Sequence, residues 1–98
     1  MTVEIADLGT WGGASLLAEY DPCDDTIRVD AHAVETIRML RGEAEAQRFI
    51  TVAIAHERFH RSYPRGTEAQ AHAYARACCG AEPASYERLV KLARGRAH

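Results

Sequence analysis

The spacing of apolar residues changes once along this chain, at Asp30, from the two-residue period of strands to the 3.6-residue period of helices. Before that point, Thr2–Leu8 alternates around Val3, Ile5 and Leu8, and Thr10-Trp11-Gly12-Gly13 signals a turn. Ala14–Tyr20 is apolar enough for a central strand. Asp21-Pro22-Cys23-Asp24-Asp25 is a strong turn, and Thr26–Val29 reads as a third strand with Ile27 and Val29 on one face. The economical arrangement is a small three-stranded antiparallel sheet, with every later element helical. The expected fold class is α+β.

Asp30 is a good N-cap, and Val34, Ile37 and Leu40 or Arg41 follow at helical spacing to Gly42. A second helix is expected from about Glu43 to Arg61. Its centre, Phe49-Ile50-Thr51-Val52-Ala53-Ile54-Ala55, is apolar nearly all round. Thr51 and Arg58, with Arg48 at the margin, leave a narrow wet stripe, so this helix should be mostly buried. Ser62-Tyr63-Pro64-Arg65-Gly66 makes a tight connection. Thr67 and Gln70 form a capping box that opens a third helix, which runs to about Cys79 and stops at Gly80. Pro83 suits the first turn of a fourth helix, with Tyr86, Leu89, Val90 and Ala93 as its apolar stripe and Gly95–His98 as a frayed tail. About four helices thus follow the sheet.

At 98 residues this is a single domain, residues 1–98, with no internal repeat or linker. A chain of this size buries about two thirds of its unfolded surface, so the core is modest and a bound metal would add noticeably to stability. The formal charge is −2, which argues against a dedicated nucleic-acid binder. No apolar run approaches the roughly 18 residues needed to span a bilayer. Met1-Thr2-Val3-Glu4 lacks the basic and apolar regions of a signal peptide. The three cysteines, with Cys78 and Cys79 adjacent, suit neither a disulfide framework nor a CxxC clip. Cys78 and Cys79 read as core thiols, and the expected location is the cytoplasm.

His56-Glu57-Arg58-Phe59-His60 is an HExxH motif late in the apolar helix. Positions i and i+4 lie about 40° apart on a helix, so both imidazoles can reach one ion. Glu57 falls about 60° from His60, near a metal-held water but off the ligand line. This is the zincin arrangement: two His ligands and a Glu as general base. The competing reading is a pair of surface imidazoles in an i,i+4 charge pattern with Arg58 and Arg61.

Zinc needs a third protein ligand that leaves one position open. A metzincin would have Gly at position 63 and His at position 66. This chain has Tyr63 and Gly66 there, which excludes that class. The five-residue connection folds the third helix back beside the end of the second, which makes Glu68 the best third ligand. His72, one turn further along the same face, is an alternative ligand, a partner that orients Glu68, or a donor to the transition state. Tyr63 and Tyr74 could each donate to an oxyanion, with packing the simpler role for Tyr74.

The run Leu17-Ala18-Glu19-Tyr20-Asp21-Pro22, then Thr26-Ile27-Arg28-Val29-Asp30, the HExxH helix, and Glu68-Ala69-Gln70-Ala71-His72-Ala73-Tyr74-Ala75 resembles a compact ImmA/IrrE-type metallopeptidase. The likeness covers roughly residues 16–79, and its Glu68/Ala71/Tyr74/Ala75 pattern is more discriminating than HExxH. The connection between His60 and Glu68 is short for that family, and His72 stands where Asn is common. The resemblance implies a minimal zincin-like fold of gluzincin type, with Glu68 as third ligand. It further implies limited proteolysis of a protein partner such as a transcriptional repressor.

On this reading Zn²⁺ is the cofactor, with His56, His60 and Glu68 as ligands. Glu57 moves the proton, and His72 or Tyr63 steadies the oxyanion. A protein or peptide is the substrate, aligned along an edge strand, with no nucleic-acid or membrane partner. The alternatives are a catalytically inactive, metal-stabilised interaction module and a metal-free helical partner protein.

Overall fold

The computed structural model describes residues 1–8, 10–11, 14–15, 17–81 and 84–95. The strands are β1 (Thr2–Ala6), β2 (Thr10–Trp11), β3 (Ala14–Ser15), β4 (Ala18–Asp21) and β5 (Thr26–Asp30). Four helices follow, α1 (Ala31–Arg41), α2 (Glu43–Ser62), α3 (Glu68–Cys79) and α4 (Ala84–Gly95). The fold is α+β, as the single change of period requires.

The three-stranded sheet is mixed rather than antiparallel. Its order is β1-β5-β4, with β4 antiparallel to β5 and β1 parallel to it. Hydrophobic alternation fixes which face of a strand is buried and carries no information on direction. The turn at 22–25 seats β4 on one side of β5, so β1 takes the free edge. Its ends are held there by Thr2 N donating to Asp25 O (3.0 Å) and Leu8 N donating to Asp30 Oδ1 (3.1 Å).

The expected strand over Ala14–Tyr20 is also corrected. Ala14–Ser15 pairs with Thr10–Trp11 in a separate ribbon, and the central strand is β5. β5 is buried on both faces apart from a half-buried Arg28, whereas β4 is half-buried throughout. A strand covered on both sides belongs in the middle of a sheet. Residues 12 and 13 of the expected turn lie outside the described set, as do Pro83 and positions 96–98 of the expected tail.

Ile27 and Val29 on β5 are fully buried beneath the helices. On the opposite face Arg28 ties the sheet together, reaching Glu4 on β1 (2.6 Å), Asp21 on β4 (3.3 Å) and Asp24 in the turn (2.7 Å). Asp30 divides its carboxylate between two segments. Oδ2 caps α1 by accepting from Ala33 N (3.1 Å), while Oδ1 holds Leu8. Gly42, at φ 96°, ends α1 in a conformation that side chains resist, and α2 starts directly after it.

α2 is the spine of the molecule. Phe49, Val52 and Ala53 are fully buried, and Phe49 meets Tyr86 of α4 edge-on with ring centroids 5.2 Å apart. α3 faces α2 with Ala71 and Ala75, both fully buried, and side chains this small let the two helices approach closely. Tyr86 and Val90 of the expected α4 stripe are buried, with Leu89 and Ala93 half-buried beside them. No described helix is long and apolar enough to cross a membrane.

The far end of α2 is fastened to the β4–β5 turn. Asp25, at φ 51°, accepts from Arg61 Nε (2.7 Å) and from the Tyr20 hydroxyl (2.8 Å), and the N-terminal ammonium lies 3.3 Å away. Asp is among the few side chains that tolerate this backbone region. The Arg61 guanidinium and the Tyr20 hydroxyl hold the Asp25 carboxyl well below the usual carboxylate range.

A group depressed on folding contributes stability above its unfolded pKa, about 3.9, and that contribution is lost as pH falls further. Asp25→Asn, which keeps the turn conformation, should therefore be less stable than the parent at about pH 5, by a gap that narrows progressively as pH falls from about 4 to about 2. Urea midpoints across this range of pH measure the gap.

Candidate metal centre

α2 delivers two imidazoles because HExxH occupies its last turns, on the face that begins with Phe49 and Ala53. His56 and Glu57 are buried, and His60 is half-buried. α3 delivers the carboxylate. Thr67 Oγ1 accepts from Gln70 N (3.1 Å) while Gln70 Oε1 accepts from Thr67 N (3.0 Å), the expected capping box. This fixes Glu68 as the first residue of α3.

The connection between the helices is compressed. Tyr63 N donates to Phe59 O and Gly66 N to Tyr63 O, both at 2.8 Å. A Cβ at position 66 would stand 2.4 Å from Phe59 Cε1, so the chain can pass here only as glycine without displacing that ring. Phe59 is itself flanked by Tyr63 (5.0 Å) and Tyr74 (5.8 Å).

As a result, three imidazoles converge on one carboxylate. Glu68 Oε1 lies 2.8 Å from His60 Nε2, and Glu68 Oε2 lies 3.1 Å from His56 Nε2 and 3.9 Å from His72 Nε2. Ligand atoms of His56, Glu68 and His72 all fall within 4.8 Å of one another. The His56 ring stands 4.9 Å from that of His60 and 4.8 Å from that of His72. Glu57 Oε1 is 4.0 Å from His56 Nε2, beside this set and not at its centre.

The donor chemistry fits a divalent cation. His60 Nε2 is buried and only 2.8 Å from Glu68 Oε1, yet the pair lacks the alignment of a hydrogen bond. Two acceptor lone pairs aimed at a shared point between them would give this combination of proximity and misalignment. Burial lowers the pKa of His56, with the His72 and His60 charges adding and Glu68 opposing, so the neutral imidazole that binds metal is favoured. Burial also pushes the Glu57 carboxyl up to about 7, helped by the charges of Glu68 and Glu19.

Of the residues singled out from sequence, His56, Glu57, His60, Glu68 and His72 come together. Tyr63 is 59% exposed and packs its ring against Phe59. Tyr74 likewise packs on Phe59 and hydrogen-bonds Cys78. Cys78 is exposed, which corrects its reading as a core thiol, while Cys79 is half-buried against the core cluster. The α3 face that turns inward carries Ala71 and Ala75 instead. Sequence reasoning passed over Glu19, whose charge reaches Glu57 from β4. Only pairing β4 against β5 puts it there, and nothing local marks it. A cavity of about 650 Å³ adjoins the end of α2, lined by Phe59, Ser62, Tyr63, Arg65, Gly66 and Gln70.

Comparison with known proteins finds no family model, no curated protein and no solved structure that matches this chain.

Gly66→Ala should displace Phe59 or the connection and lower stability by about 1–3 kcal/mol, the range for an overpacked site. Urea denaturation measures the loss, and an unchanged midpoint would show that the ring moves aside freely.

Proposed function

We propose that this chain is a zinc-dependent metallopeptidase of the ImmA/IrrE type, which hydrolyses a peptide bond in a protein partner. The observation that supports the reading is the approach of His56 and His60 to the two oxygens of the Glu68 carboxylate, with the buried Glu57 alongside. Two imidazole nitrogens and a carboxylate are the donor set of a catalytic zinc site. When bound, zinc supplies a Lewis acid that activates water near neutral pH and polarises a carbonyl.

Glu57 has the position of a general base. Its carboxylate lies beside the ligand nitrogens, close enough to take a proton from an attacking water and too far aside to compete as the central ligand. The proton then passes from Glu57 to the amide nitrogen as the C–N bond breaks, leaving a carboxylate and an amine. His72, at the margin of the set, can donate to the oxygen that gains charge. Tyr63 would have to swing off Phe59 to share that role.

Substrate alignment is assigned to β4. It packs beside α2 and, among the described residues, forms an edge of the sheet whose outer backbone groups an extended peptide could pair with. The cavity beside Phe59 offers a partly apolar recess for a side chain of that peptide. The resemblance of Glu68-Ala69-Gln70-Ala71-His72-Ala73-Tyr74-Ala75 and the β4–β5 hairpin to the family supports a regulatory protein, such as a transcriptional repressor, as the substrate. Three free cysteines fit a reducing cytoplasm.

A second reading, an inactive metal-stabilised interaction module, draws on one observation. His72 stands near enough to serve as a fourth donor, and structural zinc sites are closed by four protein ligands.

Glu57→Gln separates the two. Under the peptidase reading the variant keeps its zinc and its fold and loses proteolysis by about 10²-fold or more, the scale of general-base catalysis. Cleavage of a casein or peptide-library substrate, read beside metal content, is the measurement. Equal activity in the variant would remove Glu57 from the mechanism.

A further inference from the structure

His72 is i+4 from Glu68 on α3, so the two side chains rise from the same face of one helix. Its Nε2 lies 3.9 Å from Glu68 Oε2. That is beyond the reach of a hydrogen bond, so His72 does not orient Glu68 by a direct contact of that kind. The distance does match another geometry. A tetrahedral ion with bonds of about 2.1 Å separates its donors by about 3.4 Å. The separations of Glu68 Oε1 from His60 and of Glu68 Oε2 from His56 and His72, at 2.8, 3.1 and 3.9 Å, bracket that spacing. His72 also shares the 4.8 Å cluster with His56 and Glu68, its ring tilted against that of His56. The fully buried Ala71 and Ala75 on either side of it hold this stretch of α3 against α2, so His72 is delivered to the cluster by helix packing rather than by a free loop.

From this geometry we infer that His72 is a fourth protein ligand, giving the resting protein a closed shell of three imidazoles and one carboxylate. The inference rests on the metal-binding part of the reading above and adds to it a form of control. A shell with four protein donors is closed at rest and opens to water and a substrate carbonyl as His72 gives way to the substrate. His72 is the donor suited to leave, because it stands furthest from Glu68 and is half-buried, whereas His56 is buried.

The test uses the full chain loaded with one equivalent of Zn²⁺, and with Co²⁺ in parallel. X-ray absorption of the wild-type zinc protein should fit three imidazoles and no water. His72→Ala should fit two imidazoles and gain an oxygen from water, and its zinc affinity, by chelator competition, should fall roughly tenfold or more. The Co²⁺ absorption bands should shift between the two proteins, and His72→Gln gives a second comparison if the alanine variant folds poorly. Two imidazoles in the wild-type protein, or a zinc affinity unchanged within about twofold in the variants, would overturn the proposal and leave the three-ligand site standing. Failure of the folded wild-type chain to hold zinc at all would overturn both.

Discussion

The contact between the start of α3 and the last turns of α2 is the constraint on which the site depends. Glu68 belongs to a different helix from His56 and His60, and it reaches them because the intervening connection is short and compressed against Phe59. Gly66 makes that compression possible by leaving room for the ring. The capping box at Thr67 then fixes where α3 starts, and hence which side chain its first turn presents. The position of the carboxylate is therefore as much a property of this turn as of the motif.

The same helix carries the core and the HExxH residues, and the two make opposing demands. Phe49, Val52 and Ala53 require α2 to be buried, and burial extends along it to His56 and Glu57. An ionisable carboxyl in such a place is costly, as its raised pKa records. In a chain of 98 residues, with a modest core, that cost is a sizeable part of a small net stability. Such a local conflict is expected where a residue serves function rather than packing. A cation held by neighbouring donors would relieve it, because the charges of Glu68 and Glu19 add to the cost of ionising the buried Glu57.

The sheet matters here mainly as a frame. β5 gives the helices an apolar floor, β4 stands beside α2, and the Asp25–Arg61 pair fastens the end of α2 to the hairpin turn. α2 is thereby anchored along its length, by Phe49 against α4 and, at its last turn, by Arg61 against the β4–β5 turn.

What could be read from residues alone was whatever depends on local spacing. The change of period at Asp30 set the α+β class. Asp30, Gly42, Thr67 and Gly80 marked helix ends, because a cap is a contact between residues at most a few positions apart. HExxH put His56, Glu57 and His60 on one side of a helix for the same reason. Direction and order in the sheet were not legible, since alternation in β1 is the same for a parallel and an antiparallel neighbour. Nor was the outward turn of Cys78 or the reach of the Glu19 charge to Glu57. Those were decided by packing between segments far apart in the chain, where burial and steric fit, rather than any nearby residue, select among arrangements that the local pattern leaves equivalent.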